Sequence, residues 1–377
     1  MELAEIRQQL DGIDKELVAL FEKRMSLAGE VAKSKMETGK CVYDKEREAA
    51  KLSVVRSLTS NEFNEKGIAE LFSQIMAISR KYQYKLIAES GNKQDDGATS
   101  FIGVDHLETD AKVVFQGAEG SYSEAATYKF FGKDVDAFHV DTFREAMLTL
   151  DEGRARYAVL PIENSTAGVI SETYDLLNEF ENFIVAEQVI PIEHCLLGTE
   201  GTTLDSIKTV YSHPQSLMQS EVFLREHGSW RQVSMKNNAF AAKKVADEKD
   251  ITQAAIAGEH AAEVYGLSVL KKGINHSGSN STRFIIVSNK KIFLKDAKKI
   301  SLCLEIPHEC GSLYRIMSHF IYNDLNLVKI ESRPMVGKNW EYRFFIDVEG
   351  NMADSGVRNA LCGLREEAVR LRVLGNY

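Results

Sequence analysis

LAEIRQQLDGIDKELVALFEKRMSLAGEVAKSK (residues 3–35) decides the first part of the fold. Its apolar positions are Leu3, Ile6, Leu10, Ile13, Leu17, Leu20, Leu27 and Val31. The steps alternate three and four, the heptad seam of a long helix. Arg24 takes the next seam position after Leu20. Two further helical runs repeat the anomaly. In one, Glu48 leads Leu52 and Val55. In the other, Ser79 interrupts Ile68, Phe72, Ile75, Tyr82 and Leu86, with Gln83 one turn later. A charge in a bundle seam is costly unless something pairs with it. Basic and acidic groups facing one interior therefore predict a polar pocket for a small ionic ligand inside an all-helical segment. Helices are expected over about 3–37, 44–58 and 66–88. One long helix and two short ones do not close a core alone, so a partner chain is expected.

Outward from this segment the texture changes. ESGNKQDDGATS (89–100) loses all hydrophobic pattern and reads as a linker. From 111, short β runs alternate with helical stretches: AKVVFQ, GAEGSYS, YAVLPIE, TVYSHPQ and TRFIIVS punctuate an α/β pattern. After KIFLKDAKK (291–299) the order is β-α-β-β-α-β, the ferredoxin-like unit. The chain thus reads as multi-domain: an all-α domain over 1–90, a linker over 91–110, an α/β domain of two subdomains over 111–290, and an α+β domain over 300–377.

Composition bounds the function. The 377 residues exceed one ordinary core. Hydrophobic residues at 44% and charged residues at 27% fit a globular chain. No apolar run approaches the ~18 residues of a membrane span. Five scattered cysteines without a CxxC pair argue against a disulfide framework or zinc site and predict a reduced, cytoplasmic setting. No metal and no cofactor is expected. The net charge is -9, yet residues 1–90 balance 15 Lys/Arg against 15 Asp/Glu. The acidic excess lies beyond residue 90, which argues against nucleic acid as a partner. Anion affinity in the helical segment must come from specific cations.

Arg24 and Lys35 are 11 residues apart and share a helix face. Asp44, Arg47 and Glu48 are related by three and four steps, and Ser79 and Gln83 by four. Arg7 lies about 100° off the Arg24 face and does not point into the same pocket from its own chain. The set holds cations, carboxylates, an amide and a hydroxyl, without a Cys–His or Ser–His pair. It suits binding a small dicarboxylate and stabilising developing charge rather than nucleophilic catalysis. The alternative is a surface salt-bridge network on a coiled coil. Over residues 5–85 the segment resembles chorismate mutases of the all-helical class. That resemblance implies a domain-swapped dimer in which Arg7 reaches the other subunit's pocket. It implies that Arg7, Arg24 and Arg47, aided by Ser79, hold carboxylates. Glu48, with Asp44 nearby, accepts from the substrate hydroxyl, and Lys35 and Gln83 donate to the ether oxygen.

In the α/β segment, GAEGSYS (117–123), PIENS (161–165), YSHPQ (211–215) with Gln219, and STRF (281–284) each sit where a strand gives way to a loop or helix. Such edges bind ligands in α/β sheets, and a Gly turn before a helix can present N–H groups to a carboxylate. Each motif has a plain reading too: turn glycines, Asn164 and Ser165 as helix caps, His213 as a turn residue, Thr282 as a β former. Taken in this order, over 112–288, they resemble prephenate dehydratase, with GAEG where that family usually has Gly-Pro. The resemblance implies two subdomains closing on a cleft lined by Glu163, Asn164, Ser212, Gln219, Thr282 and Arg283. Either Glu163 or Thr282 is the effective acid, and Arg283 or the Gly120–Ser123 turn holds a carboxylate.

The last unit resembles an ACT regulatory domain through Gly311 and Leu313 at the first strand–helix turn and through Glu331, Ser332, Arg333 and Pro334, with CGSL in place of the usual Gly-Ala-Leu. It implies phenylalanine as effector. The implied function is therefore bifunctional: chorismate to prephenate, then prephenate to phenylpyruvate, in a homodimer or larger homo-oligomer. A mutase–prephenate dehydrogenase would need a GxGxxG after a strand, and none is present. A non-catalytic amino-acid sensor would not require Lys35 and Gln83 beside a seam Arg24.

Overall fold

Three helices open the chain. α1 (Leu3–Thr38) starts in a capping box between Glu2 and Glu5 and stops at left-handed Gly39, φ 67°. α2 (Lys45–Ser57) is capped by Asp44, which accepts the Arg47 N–H at 3.0 Å. α3 (Glu62–Glu89) begins four residues before the expected 66, because the Asn61 side chain accepts the Asn64 N–H at 2.9 Å and caps the extra turn. The computed structural model describes residues 2–90, 101–276, 278–335, 337–338 and 340–377. Residues 91–100 of the expected linker lie outside the described residues.

The seam of α1 stays on the surface. Leu3 and Leu20 are each 63% exposed, and only Ala28, Gly29 and Ala32 of the helix are buried. α3 differs: Ser79, Arg80, Lys81, Gln83 and Tyr84 are all buried, so its C-terminal half is covered nearly all round.

A short strand β1 (Ile102–Val104) precedes the α/β segment. Its first lobe contains β2 (Val113–Gln116), α4 (Tyr122–Phe131), β3 (Ala137–Val140), α5 (Phe143–Asp151), β4 (Tyr157–Asn164), β5 (Gly168–Val169), α6 (Ser171–Glu179) and β6 (Phe183–Pro191). The chain then crosses to a second lobe: β7 (Cys195–Gly198), β8 (Thr209–Ser212), α7 (Pro214–Gln219), α8 (Glu221–Glu226), β9 (Arg231–Ser234), α9 (Asn238–Glu248), β10 (Gln253–Ala257), α10 (Glu259–Tyr265) and β11 (Ser268–Lys271). It returns through β12 (Ser281–Ser288), followed by β13 (Ile292–Leu294), which pairs with β1. The first-lobe sheet runs β6-β12-β4-β2-β3 and the second β11-β7-β10-β8-β9. β4 is buried along Tyr157–Ile162, as the continuous apolar run of a central strand requires.

The last elements are β14 (Lys299–Glu305), α11 (Ser312–Ile321), β15 (Leu327–Pro334), β16 (Tyr342–Glu349), α12 (Ser355–Glu367) and β17 (Arg370–Asn376). The sheet order β15-β16-β14-β17 is that of the ferredoxin-like unit, with β15 at the edge. Compact units do not follow chain order. One combines Met1–Phe101 with Ala297–Val373; the other combines Ile102–Asp296 with Leu374–Tyr377. Within the first, α12 packs on α3. No described helix is long and apolar enough to cross a membrane.

Candidate active sites

A cavity of about 490 Å³ opens among α1, α2 and α3. Arg24, Lys35, Asp44, Arg47, Glu48, Ser79 and Gln83 line it, over a floor that includes Ala28 and Met76. Seven of the helical residues singled out from the sequence thus meet in one place. Arg7 does not line it and lies exposed on α1. Arg24 Nη1 donates to Ser79 Oγ at 2.5 Å, and Lys35 Nζ donates to the Val42 carbonyl at 2.5 Å. Glu48 Oε2 accepts from Arg80 Nη1 at 2.5 Å. Gln83 is buried, and its Oε1 has no hydrogen-bond partner among the described residues. Such an orphan costs about 1–3 kcal/mol until something satisfies it.

Burial lowers the Arg24 guanidinium below its ordinary value, against the opposing charge of Glu48. Burial likewise lowers the Lys35 ammonium, with Asp44 the main opposing charge. Half-buried cations of this kind gain from an anion placed beside them. No His or Cys lines the cavity. It can hold a small dianion in one conformation and donate hydrogen bonds to charge that develops on it.

The second site grows from the β4–β12 ladder, where Thr282 pairs with Asn164 and Arg283 with Glu163. Asn164 Oδ1 accepts the N–H groups of Thr166 and Ala167 at 3.1 and 2.9 Å. Its Nδ2 therefore faces Thr282 Oγ1, 2.9 Å away, and also Asn280 Oδ1 at 2.9 Å. The Thr282 oxygen accepts from Asn164, which leaves its own proton to give. The chain continues from Asn164 through Thr166 Oγ1 to Gln219 Nε2, and from Gln219 Oε1 to His194 Nε2 at 2.9 Å. Tyr122 lies 3.0 Å from His194 Nδ1. Burial lowers the His194 pKa, consistent with a neutral ring that donates from Nε2. The network joins both lobes. A cavity of about 150 Å³ also lies between the lobes, where Gly117 and Ser123 of the GAEGSYS turn face His213 and Asn238.

The remaining residues do not all line one face. Glu163 and Arg283 do not share a face with Thr282, because consecutive strand residues point to opposite sides. Arg283 instead pairs with Glu163 at 3.1 Å and Glu187 at 3.3 Å. Ser212 is fully buried, with Oγ 2.6 Å from the Ile256 carbonyl, and so braces the second lobe from inside. The Gly120 N–H is taken by the Glu124 carboxylate at 2.6 Å. Asn164 caps no helix; α6 begins at Ser171 after Ile170. His213 caps α7, its Nδ1 accepting the Gln215 N–H at 3.2 Å.

A third cavity, of about 460 Å³, follows the loop from Ile306 to Tyr314 and contains Gly311 and Leu313. Gly311 precedes α11 at φ 79°, a conformation that favours glycine. Glu331, Ser332, Arg333 and Pro334 do not line this cavity; they lie on edge strand β15, paired to β16.

Arg80, His194, Thr166 and Asn280 were not singled out from the sequence. Arg80 sits in an Arg-Lys pair that reads as a solvated face. A lone histidine in PIEHC has no spacing that marks it.

The chorismate mutase type II model matches residues 6–84, and the prephenate dehydratase model matches 113–292. The bifunctional chorismate mutase/prephenate dehydratase of Enterobacter agglomerans is 32% identical over 382 residues, covering 100% of this chain and 95% of that one. A solved prephenate dehydratase from Arthrobacter aurescens, in complex with L-Phe, is 31% identical with a TM-score of 0.64, covering 71% of this chain and 89% of that one. A structure described as GqqA, a novel type of quorum quenching acylases, is 29% identical with a TM-score of 0.65, covering 71% of this chain and 97% of that one. The chain belongs to the family of bifunctional chorismate mutase/prephenate dehydratases, the enzymes of phenylalanine biosynthesis that rearrange chorismate to prephenate and convert prephenate to phenylpyruvate.

Proposed function

We propose that chorismate rearranges in the cavity among α1, α2 and α3. Arg24 and Arg47 hold its carboxylates with help from Ser79, and Glu48, with Asp44 nearby, accepts from its hydroxyl. Lys35 and Gln83 donate to the ether oxygen as the C–O bond breaks. The reaction is pericyclic and needs neither base nor nucleophile, only a held conformer and stabilised charge. The carrying observation is that Gln83 and Lys35 line one cavity together with Arg24, Arg47 and Glu48. Arg7 serves the cavity of a second copy in a domain-swapped dimer. The exposed apolar seam of α1 supports this, since a long unpaired stripe marks an interaction surface.

Prephenate reacts at the Asn164–Thr282 network. The carboxylate carbon leaves as CO₂, its bonding electrons enter the ring and form the aromatic double bond, and the ring hydroxyl is expelled as hydroxide, which takes a proton from solvent to become water. Thr282, turned donor by Asn164, is the hydrogen-bond donor to that hydroxyl. Glu163 and Arg283 support the ladder from the other face. Neither reaction needs a metal or cofactor.

The segment 300–377 is read as an ACT domain that binds phenylalanine at Gly311 and Leu313, with Glu331–Pro334 of a second copy closing the site. Its ferredoxin-like strand order and the cavity at Gly311 support this. The domains are 1–90, 111–290 and 300–377, and the enzyme works in the cytoplasm. Product analysis after adding chorismate, with and without phenylalanine, tests the whole reading. Chorismate turnover that survives loss of both Lys35 and Gln83 side chains would overturn the mutase assignment.

A further inference from the structure

Arg80 lies between two carboxylates that are far apart in the chain. Its Nη1 is 2.5 Å from Glu48 Oε2, and its Nη2 is 2.7 Å from Glu367 Oε1 at the end of α12. The guanidinium also stacks over Tyr43, 4.9 Å from the ring centre. Burial works against its charge, yet Glu48 and Glu367 outweigh that and hold it above its ordinary value. His319 of α11 brings Nε2 to 3.2 Å from the same Glu367 oxygen. It lies so close to α12 that a Cβ at residue 363 would strike its ring, so that position is Gly363. Beside it, Glu366 accepts the Tyr84 hydroxyl. Two carboxylates at a helix C-terminus face the negative end of the helix dipole. They are unfavourable locally and are compensated by α3.

We propose that Arg80 is a positioning residue of the mutase site, and that Glu367 sets how Arg80 holds Glu48. This rests on the assignment of the α1–α3 cavity to chorismate. With Glu367 present, the guanidinium divides its charge between two carboxylates, and Glu48 can still accept from the substrate hydroxyl. Without Glu367, the full cation falls on Glu48 and competes with that hydroxyl. Without Arg80, Glu48 loses the group that orients it. The hydroxyl contact exists in substrate and transition state alike, so weakening it raises KM and leaves kcat nearly unchanged.

The test is steady-state kinetics of the full-length chain. In Glu367→Gln and in Arg80→Lys, KM for chorismate is expected to rise about tenfold, with kcat within about twofold, as for residues coupled in one network. KM for prephenate in the dehydratase reaction stays unchanged. Adding Glu367→Gln to Arg80→Met raises KM no further than Arg80→Met alone. An unchanged KM in both single variants overturns the proposal. So does a loss confined to kcat, which reports a damaged fold, and so do additive effects in the double variant. Gln83→Ala separates the two levels: if it leaves chorismate turnover intact, the cavity assignment itself falls.

Discussion

Replacing Thr282 with valine removes one hydroxyl and keeps the β-branched shape. That hydroxyl accepts from Asn164 Nδ2 at 2.9 Å, and no other bond to it is made among the described residues. Asn164 Nδ2 keeps Asn280 Oδ1 at 2.9 Å and the Ser281 carbonyl at 3.1 Å. No buried donor is orphaned, so the stability cost is about 1 kcal/mol or less. The kinetic cost is larger. A preorganised donor to charge on a leaving oxygen is worth roughly 10²–10³ in kcat, about 2.7–4 kcal/mol. Thr282→Val should therefore lose that much phenylpyruvate formation from supplied prephenate, with an unfolding midpoint close to the parent's. Thr282→Ser, which keeps the donor, should stay within about tenfold. Chorismate should still yield prephenate in both. A folded valine variant with normal dehydratase turnover would refute the donor role and leave Thr282 as a strand residue only.

Gln83→Ala should lower chorismate turnover by roughly 10²–10³ and leave dehydration of prephenate unchanged, read by assaying the two substrates separately. Arg7→Ala and Arg24→Ala chains, each nearly inactive as mutases, should regain partial activity when mixed and refolded, because one pocket per heterodimer is whole. No recovery in proven heterodimers would return Arg7 to its own chain. Burial holds the Lys81 ammonium down to about 7 against the pull of Glu367, while the unfolded chain keeps that proton up to its ordinary value of 10.5. The unfolded state binds more protons between those values, so stability rises with pH across that window. Lys81→Met should thus gain most in urea midpoint below pH 7 and progressively less towards pH 10; a gain that does not vary with pH would refute this.

The helical cavity was legible because its polar residues break an apolar rhythm. Arg24 and Ser79 stand out only against Leu20 and Ile75, and a local period suffices to see them. Arg80 has no such signal. One of its two carboxylate partners is Glu367, 287 residues away, and no window of sequence contains both. The same holds for His194, which sits at the crossover into the second lobe and meets its partner Gln219 25 residues further on. Glu163 and Arg283 lie on the opposite face of the ladder from Thr282 and Asn164. The strand period already separates each from its neighbour, but motif membership grouped them with Asn164 and Thr282. The ferredoxin-like order was readable from element sequence alone. Which part of it covers α3 was not, because helix–helix docking leaves no trace in strand order.

Helix α3 is made early and completed late. Its Tyr84 and Ile87 share a core cluster with Cys362 of α12, and its Lys81 donates to the Ser318 carbonyl at 2.8 Å. At typical synthesis rates the 287 residues between Arg80 and Glu367 take on the order of 15–60 s to emerge. Throughout that interval the ribosome-bound chain displays one flank of α3 to solvent and to chaperones, while the intervening α/β segment lacks only the four terminal residues Leu374–Tyr377 of its unit. Vectorial synthesis therefore favours a dehydratase that matures before the helical segment preceding it in the chain. A messenger cut short before α12 would leave the middle nearly whole and the beginning without the helix that covers α3.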